Sequence, residues 1–302
     1  MQKKYFGTDG IRAASNSYKL NGLTMMRLGM SLGKLFTKGE HKHRVVIGKD
    51  TRLSGYTIEQ SLTSGLLSMG LDVLLLGPIP TPGVAMLAKS MRADLGVMIS
   101  ASHNSYKDNG IKIFDKHGNK LSDETEYEIE KLMDSNIEEH LVSPEKMGRA
   151  KRLEDANARY IEFQKNTFPK KINLEGIKIV LDCANGAAYK SAPIILWELG
   201  AEVIAIGVDP NGTNINHECG STQPENMAKK VVEEKADIGI CLDGDGDRVI
   251  ICDEKGKIID GDQILALLAL HWKKYNQLST NAIVATEMSN LGLENILRDN
   301  NI

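Results

Sequence analysis

A chain of 302 residues is too long for one small core and predicts two or more domains. Its hydrophobic fraction of 41% is ordinary for a globular protein with sizeable cores, and 37 Lys plus Arg against 40 Asp plus Glu leave a net charge of -3. That balance removes any electrostatic case for nucleic acid or an anionic membrane as partner. No apolar run reaches the length of a membrane span. The basic start, Met1 to Phe6, leads into glycines and an aspartate, so no signal peptide is read and a cytoplasmic location is expected. The four cysteines lie far apart without a CxxC pair, and Cys183, Cys241 and Cys252 sit in strand-like runs, which predicts buried free thiols.

Taken in chain order, Gly7 to Arg12 is a turn-rich loop that presents one arginine. A helix is predicted from Leu23 to Phe36, then a strand at Val45–Gly48 followed by the polar loop Lys49–Gly55. Thr57 is placed to cap a helix running to Met69, with Gly70 as its stop and Gly65 as a cost to its propensity. Next come a strand (Val73–Leu76), a rigid Pro-rich connection, a helix near Val84–Met91, and the apolar run Leu95–Ile99, which reads as a buried strand ending in Ser100-Ala101-Ser102-His103-Asn104. Ile111–Phe114 is a further strand, and Ser122 with Asp123 and Glu124 marks a helix N-terminus. Residues 136–151 are polar and charged and read as a linker. Beyond them a helix (Leu153–Thr167), a strand (Ile177–Leu181), a helix (Ser191–Leu199), a strand (Val203–Ile206) and a helix (Glu225–Lys235) precede Ile238–Leu242 and the loop Asp243-Gly244-Asp245-Gly246-Asp247-Arg248. A hairpin at 249–259, an apolar helix from Gln263 to Trp272, a strand at Ala282–Ala285 and a short helix from Leu293 complete the pattern.

These elements repeat. Ala93–Val97 matches Ala236–Ile240 at an offset of 143, and the same offset carries Ser102 onto Asp245. The expected fold is therefore α/β, with repeated units, each a mixed sheet flanked by helices. The expected division is 1–150 with the serine loop, 151–255 with the aspartate loop, and 256–302 as the start of an incomplete third unit. The third copy having only one strand and one helix after it, the chain is expected to be a fragment or the product of a shortened gene.

Three aspartates at alternate positions with glycines between them suit a hard cation such as Mg²⁺, because the glycines let three carboxylates converge. A calcium EF-hand is excluded: Arg248 stands where the turn glycine is needed, and the flanks read as strands. Arg248 beside a cation makes sense only with an anion nearby, and a phosphate touched by both would bring Ser102 into the same site. His103 adjoins Ser102, and neighbours on an extended segment point apart, so it is not expected to activate the serine directly. Lys112 reads equally as a solvated strand lysine, and Arg12 equally as a surface charge or a phosphate contact. His41 and His43 lie in a basic stretch with no third ligand in sequence and read as surface.

Phe6–Arg12, Ser100–Asn104 with Asn109–Lys112, and Asp243–Arg248 together resemble the α-D-phosphohexomutases, with weaker matches at Asp50-Thr51-Arg52, Pro80-Thr81-Pro82, Cys219–Thr222 and Asp260-Gly261-Asp262. The likeness covers essentially the whole chain and is nearest to bacterial members acting on glucosamine phosphates. It implies an isomerase that interconverts glucosamine 6-phosphate and glucosamine 1-phosphate through a 1,6-bisphosphate, on the route to UDP-N-acetylglucosamine and the cell wall. By the same resemblance Ser102 would be the phosphoserine, activating when phosphorylated. Asp243, Asp245 and Asp247 would hold one Mg²⁺ with a phosphoserine oxygen. Arg12, His103 and Lys112 would surround the transferring group, with Arg12 or Lys112 handling the proton, and Arg248 would contact phosphate. Ala13 and Ser105 depart from the family's usual glycine and proline. The family's sugar-selecting loop and C-terminal phosphate-binding domain are not within these residues, so weak or no turnover is expected. The rival readings are a mutase for mannose or glucose phosphates, a non-catalytic metal- or phosphosugar-binding fragment, and a serine-phosphatase-like hydrolase.

Overall fold

The computed structural model describes residues 3–302; Met1 and Gln2, part of the basic start, lie outside the described residues. In chain order its first part contains β1 (Phe6–Gly7), β2 (Gly10–Ala14), α1 (Gly22–Phe36), β3 (Arg44–Lys49), α2 (Gly55–Ser68), β4 (Asp72–Pro78), α3 (Thr81–Ser90), β5 (Leu95–Ile99), β6 (Asp108–Asp115), α4 (Asp123–Met133), β7 (Ala150–Arg152) and α5 (Ala156–Lys165). Then follow β8 (Lys178–Asp182), α6 (Ser191–Glu198), β9 (Glu202–Ile206), α7 (Glu225–Glu234), β10 (Ile238–Leu242), β11 (Val249–Cys252), β12 (Ile258–Ile259), α8 (Gly261–Lys274) and α9 (Leu291–Asp299).

The first sheet has the order β1-β2-β6-β5-β3-β4-β7 and the second β12-β11-β10-β8-β9. The repeat is explicit in this order. In both sheets the central strand (β5 or β10) pairs antiparallel with the strand after it and parallel with an earlier one (β3 or β8), which pairs parallel with the next strand out. Parallel pairing requires crossover helices, and these cover the first sheet on both faces. One face packs Leu28, Leu32, Leu62, Leu66 and Ile129 from α1, α2 and α4; the other packs Val84, Leu87 and Tyr160 from α3 and α5. Met227 and Val231 of α7 close one face of the second sheet against Val180 and Cys241.

Local chemistry explains most boundaries. Asn21 Oδ1 accepts from the Thr24 N–H at the start of α1, and Ser122 accepts from Thr125 N at the acidic first turn of α4. Thr57 does not cap α2. The helix begins two residues earlier, after Ser54, whose hydroxyl is taken up by Ser15 and Asn109 instead. Gly65, a weak helix former, is explained by the crossing of α1 and α2: a Cβ there would lie 2.2 Å from the Met26 carbonyl oxygen. The four cysteines are free and buried.

Two further expectations fail. Residues 136–151 are not a bare linker: they form two short 3-10 turns and enter β7, a polar edge strand whose backbone pairs with β4. Ala282–Ala285 is not a strand among the described residues. An apolar run becomes a strand only when a neighbour takes up its backbone groups, and none lies alongside, leaving Val284 94% exposed. No described helix is long and apolar enough to cross a membrane.

Candidate active site

β5 and β10 deliver their C-terminal loops to one place between the two sheets. Ser102 lies buried three residues beyond β5 with φ +53, a left-handed conformation that is uncommon for serine. Its N–H donates to Ser100 Oγ (2.9 Å), which donates to Asp50 Oδ2 (2.6 Å). Its own Oγ donates to Asp243 Oδ2 across the gap between sheets, at 2.6 Å. The aspartate loop comes this close because Gly244 has no side chain; a Cβ there would sit 2.6 Å from the Ser102 carbonyl oxygen.

Asp243, Asp245 and Asp247 converge: one oxygen from each lies within 4.8 Å of the others. Asp243 and Asp245 are buried, and burial followed by repulsion from Asp245 pushes the Asp243 carboxyl up to about 6. Burial alone would raise Asp245 too, but the Lys112 ammonium and the Thr81 hydroxyl outweigh it and hold Asp245 below the usual carboxylate range. Asp245 Oδ1 is buried without a hydrogen-bond partner. A set of oxygens alone, with crowded negative charge and one orphaned atom, fits a hard divalent cation.

Lys112 stands on β6 opposite Met98 and is largely buried, so it is no solvated strand lysine. Its Nζ contacts Asp245 Oδ2 and Asp247 Oδ2, both at 2.9 Å, and Asp9 Oδ2 at 3.7 Å. Burial would lower this ammonium, yet the carboxylates outweigh it and keep it above its ordinary value. Arg12, on β2, reaches the same Asp9 oxygen at 3.4 Å. With Lys19 and Arg248 it lines a cavity of about 370 Å³ beside the Gly7–Gly10 turn, where three cations outnumber the one carboxylate of Asp9 and the net positive charge suits an anion such as phosphate. His103 departs from expectation: because the loop turns at Ser102 instead of running extended, its Nδ1 comes to 3.4 Å from Ser102 Oγ. Burial, then the nearby Arg248 and Arg12 charges, lower its pKa and favour the neutral imidazole.

Sequence reasoning assigned Arg52 no role, and it proves central. Its side chain is 0% exposed. The guanidinium donates to Asp50 Oδ2 (2.8 Å) and to the carbonyls of Ser102 (2.9 Å), Asn104 (2.8 Å), Asp108 (3.1 Å) and Ser105. From the second unit, Asn216 Nδ2 donates to the same Ser102 and Asn104 carbonyls, at 2.8 and 3.0 Å. The signal available in sequence was the place of Asp50-Thr51-Arg52 directly after β3, the strand beside β5.

Models of the phosphoglucomutase/phosphomannomutase alpha/beta/alpha domains I, II and III match residues 3–140, 158–256 and 260–302. The chain is 63% identical over 297 residues to the phosphoglucosamine mutase of Parvibaculum lavamentivorans, covering 98% of this chain and 66% of that protein. It is 59% identical over 302 residues to that of Phenylobacterium zucineum, covering 100% of this chain and 67% of that protein. The chain belongs to the phosphoglucomutase/phosphomannomutase family. A solved family protein from Burkholderia thailandensis superposes with a TM-score of 0.75 at 27% identity, over 90% of this chain and 59% of that one. The chain thus spans about two thirds of the length of the curated family members it matches. In family terms, the matches to domains I and II carry the serine loop and the aspartate loop respectively.

Proposed function

We propose that the protein interconverts glucosamine 6-phosphate and glucosamine 1-phosphate through a phosphoserine at Ser102 and a 1,6-bisphosphate intermediate. The observation that carries this reading is the 2.6 Å contact between Ser102 Oγ and Asp243 Oδ2, joining a nucleophile from one unit to a cation cluster from the other. Asp243, Asp245 and Asp247 would hold one Mg²⁺, which when bound supplies positive charge beside the phosphoryl oxygens.

The remaining work falls to side chains of this chain. In the first transfer a sugar hydroxyl oxygen forms a bond to phosphorus, and the bond from phosphorus to Ser102 Oγ breaks with its electron pair staying on Oγ. The reverse transfer from the other sugar position restores the phosphoserine. So loose a transition state asks mainly for position and charge neutralisation. Lys112, held charged, and Arg12 face the transferring group and neutralise its charge, and the proton given up by the sugar hydroxyl ends on Ser102 Oγ, which is left as the free serine hydroxyl. Arg248, on the wall of the same positive pocket, contacts a phosphate. His103 lies against Ser102 Oγ and fixes where the serine oxygen points. The sugar assignment rests on the two curated relatives, both phosphoglucosamine mutases.

Intact-mass measurement after incubation with glucosamine 1,6-bisphosphate and Mg²⁺ tests the proposal. One phosphoryl adduct, absent from Ser102→Ala, is expected. An adduct that persists in Ser102→Ala, or none under any condition, would overturn it.

A further inference from the structure

His41 and His43 flank Lys42 just ahead of β3, and their rings lie together, with centroids 4.0 Å apart. The parallel pairing of β3 with β5 sets Val45 against Leu95 and so brings Asp94 beside them, 53 residues on from His41 and 51 from His43. His41 Nε2 lies 2.8 Å and His43 Nδ1 3.3 Å from the same oxygen, Asp94 Oδ1. One ligand atom from each of the three residues lies within 4.8 Å of the others. The other carboxylate oxygen, Oδ2, is held by the Arg44 backbone N–H at 2.8 Å, which fixes the carboxylate and leaves Oδ1 facing the imidazoles.

His43 is the second, independent observation. Its side chain is 5% exposed, yet neither ring nitrogen has a hydrogen-bond partner, and its approach to Asp94 lacks hydrogen-bond geometry. A buried imidazole with both nitrogens idle is costly unless something takes up a lone pair.

We propose that His41, His43 and Asp94 form a binding site for a divalent transition metal of the zinc class, separate from the aspartate cluster. Two imidazoles and one carboxylate are a donor set such ions accept, with an open position left for water, and imidazole selects them over Mg²⁺. Ligand atoms around a tetrahedral zinc with bonds of about 2.0–2.1 Å lie roughly 3.3 Å apart. The His43–Asp94 separation of 3.3 Å already has that value. His41, at 2.8 Å from the same oxygen, needs to swing outward, and its side chain is 60% exposed. The site sits at the N-terminal end of β5, so the five-residue strand keeps it about 17 Å from the Ser102 loop. Occupancy would clamp the α1–β3 connection to the N-terminal end of β5, inside the sheet, without touching the reacting groups.

The test is a titration of chelator-treated protein with Zn²⁺ by calorimetry and with Co²⁺ by visible absorption, on the unaltered chain, His41→Ala and Asp245→Asn. His41→Ala is chosen because the exposed side chain can be removed without opening the core, and circular dichroism checks that it folds. Loss of a mere outer-shell partner costs about 10–100-fold in affinity, so loss of this ligand should weaken the site by about 100-fold or more. The expected result is a nitrogen-ligated, near-tetrahedral Co²⁺ spectrum and one tight Zn²⁺ equivalent, both kept in Asp245→Asn and lost in His41→Ala. Identical titrations of His41→Ala and the unaltered chain, or a Co²⁺ spectrum from oxygen ligands alone, would overturn the proposal.

Discussion

Replacing Arg52 by methionine tests what holds the serine loop in place. The substitution keeps an unbranched chain of similar length but removes the charge beside Asp50, a fully buried carboxylate. Burial raises the Asp50 pKa, and Arg52 is the first of the groups that oppose it. An orphaned buried charge costs about 3–5 kcal/mol. Four loop carbonyls also lose a donor, but those of Ser102 and Asn104 retain Asn216 and that of Ser105 retains the Asp108 N–H, so the added cost is about 1 kcal/mol, from Asp108. The expected loss of about 4–6 kcal/mol is a large part of a typical domain's stability. It is read from urea unfolding followed by circular dichroism, with Asp50→Asn and the double variant completing a thermodynamic cycle. Asp50→Asn in the Arg52→Met background should restore part of the loss, since the amide carries no charge to strand. A single variant within about 1 kcal/mol of the unaltered protein, or a double variant showing simple additivity, would refute the reasoning.

Gly244→Ala should leave both sheets folded yet separate the two loops, because its Cβ would press on the Ser102 carbonyl at 2.6 Å and must retreat by about 1 Å. A displacement of that size costs about 100-fold in a positioned reaction, so phosphoryl uptake by Ser102 should slow by that factor while circular dichroism is unchanged. Asp245→Asn removes the carboxylate shared by Lys112 and Thr81, and Mg²⁺ should then raise the unfolding temperature less than in the unaltered chain. Asp72 is a pH test remote from the site. Burial would raise its pKa, but Lys42 at 2.7 Å and the Arg149 N–H outweigh it and hold it low. Stability from its ionised form is therefore present above the unfolded carboxylate value of about 3.9 and lost as pH falls through the lower folded value. Asp72→Asn should cost about 1 kcal/mol or less at neutral pH, with the difference closing in acid; a constant difference across pH would contradict this.

Most of the architecture was legible because buried strands announce themselves as short apolar runs, and because the 143-residue offset that aligned Ala93–Val97 with Ala236–Ile240 also aligns β5 with β10 end to end. What escaped is physically distinct. Arg52 acts on backbone carbonyls, which every residue carries, so no partner residue type betrays it. Asp94 meets the histidines through strand pairing alone. The Ser102–His103 contact depends on one dihedral angle that serine rarely adopts. Ala282–Ala285 has strand composition, but composition does not provide a neighbour.

The hydrogen bond between Ser102 and Asp243 has a further consequence, since its donor and acceptor belong to separately cored sheets. On the proposed function, reactivity at Ser102 is then a property of a docking equilibrium. Prying the two sheets apart by an ångström or two would silence the serine while leaving each half intact, so inactivation by mild denaturant should run ahead of any spectroscopic sign of unfolding.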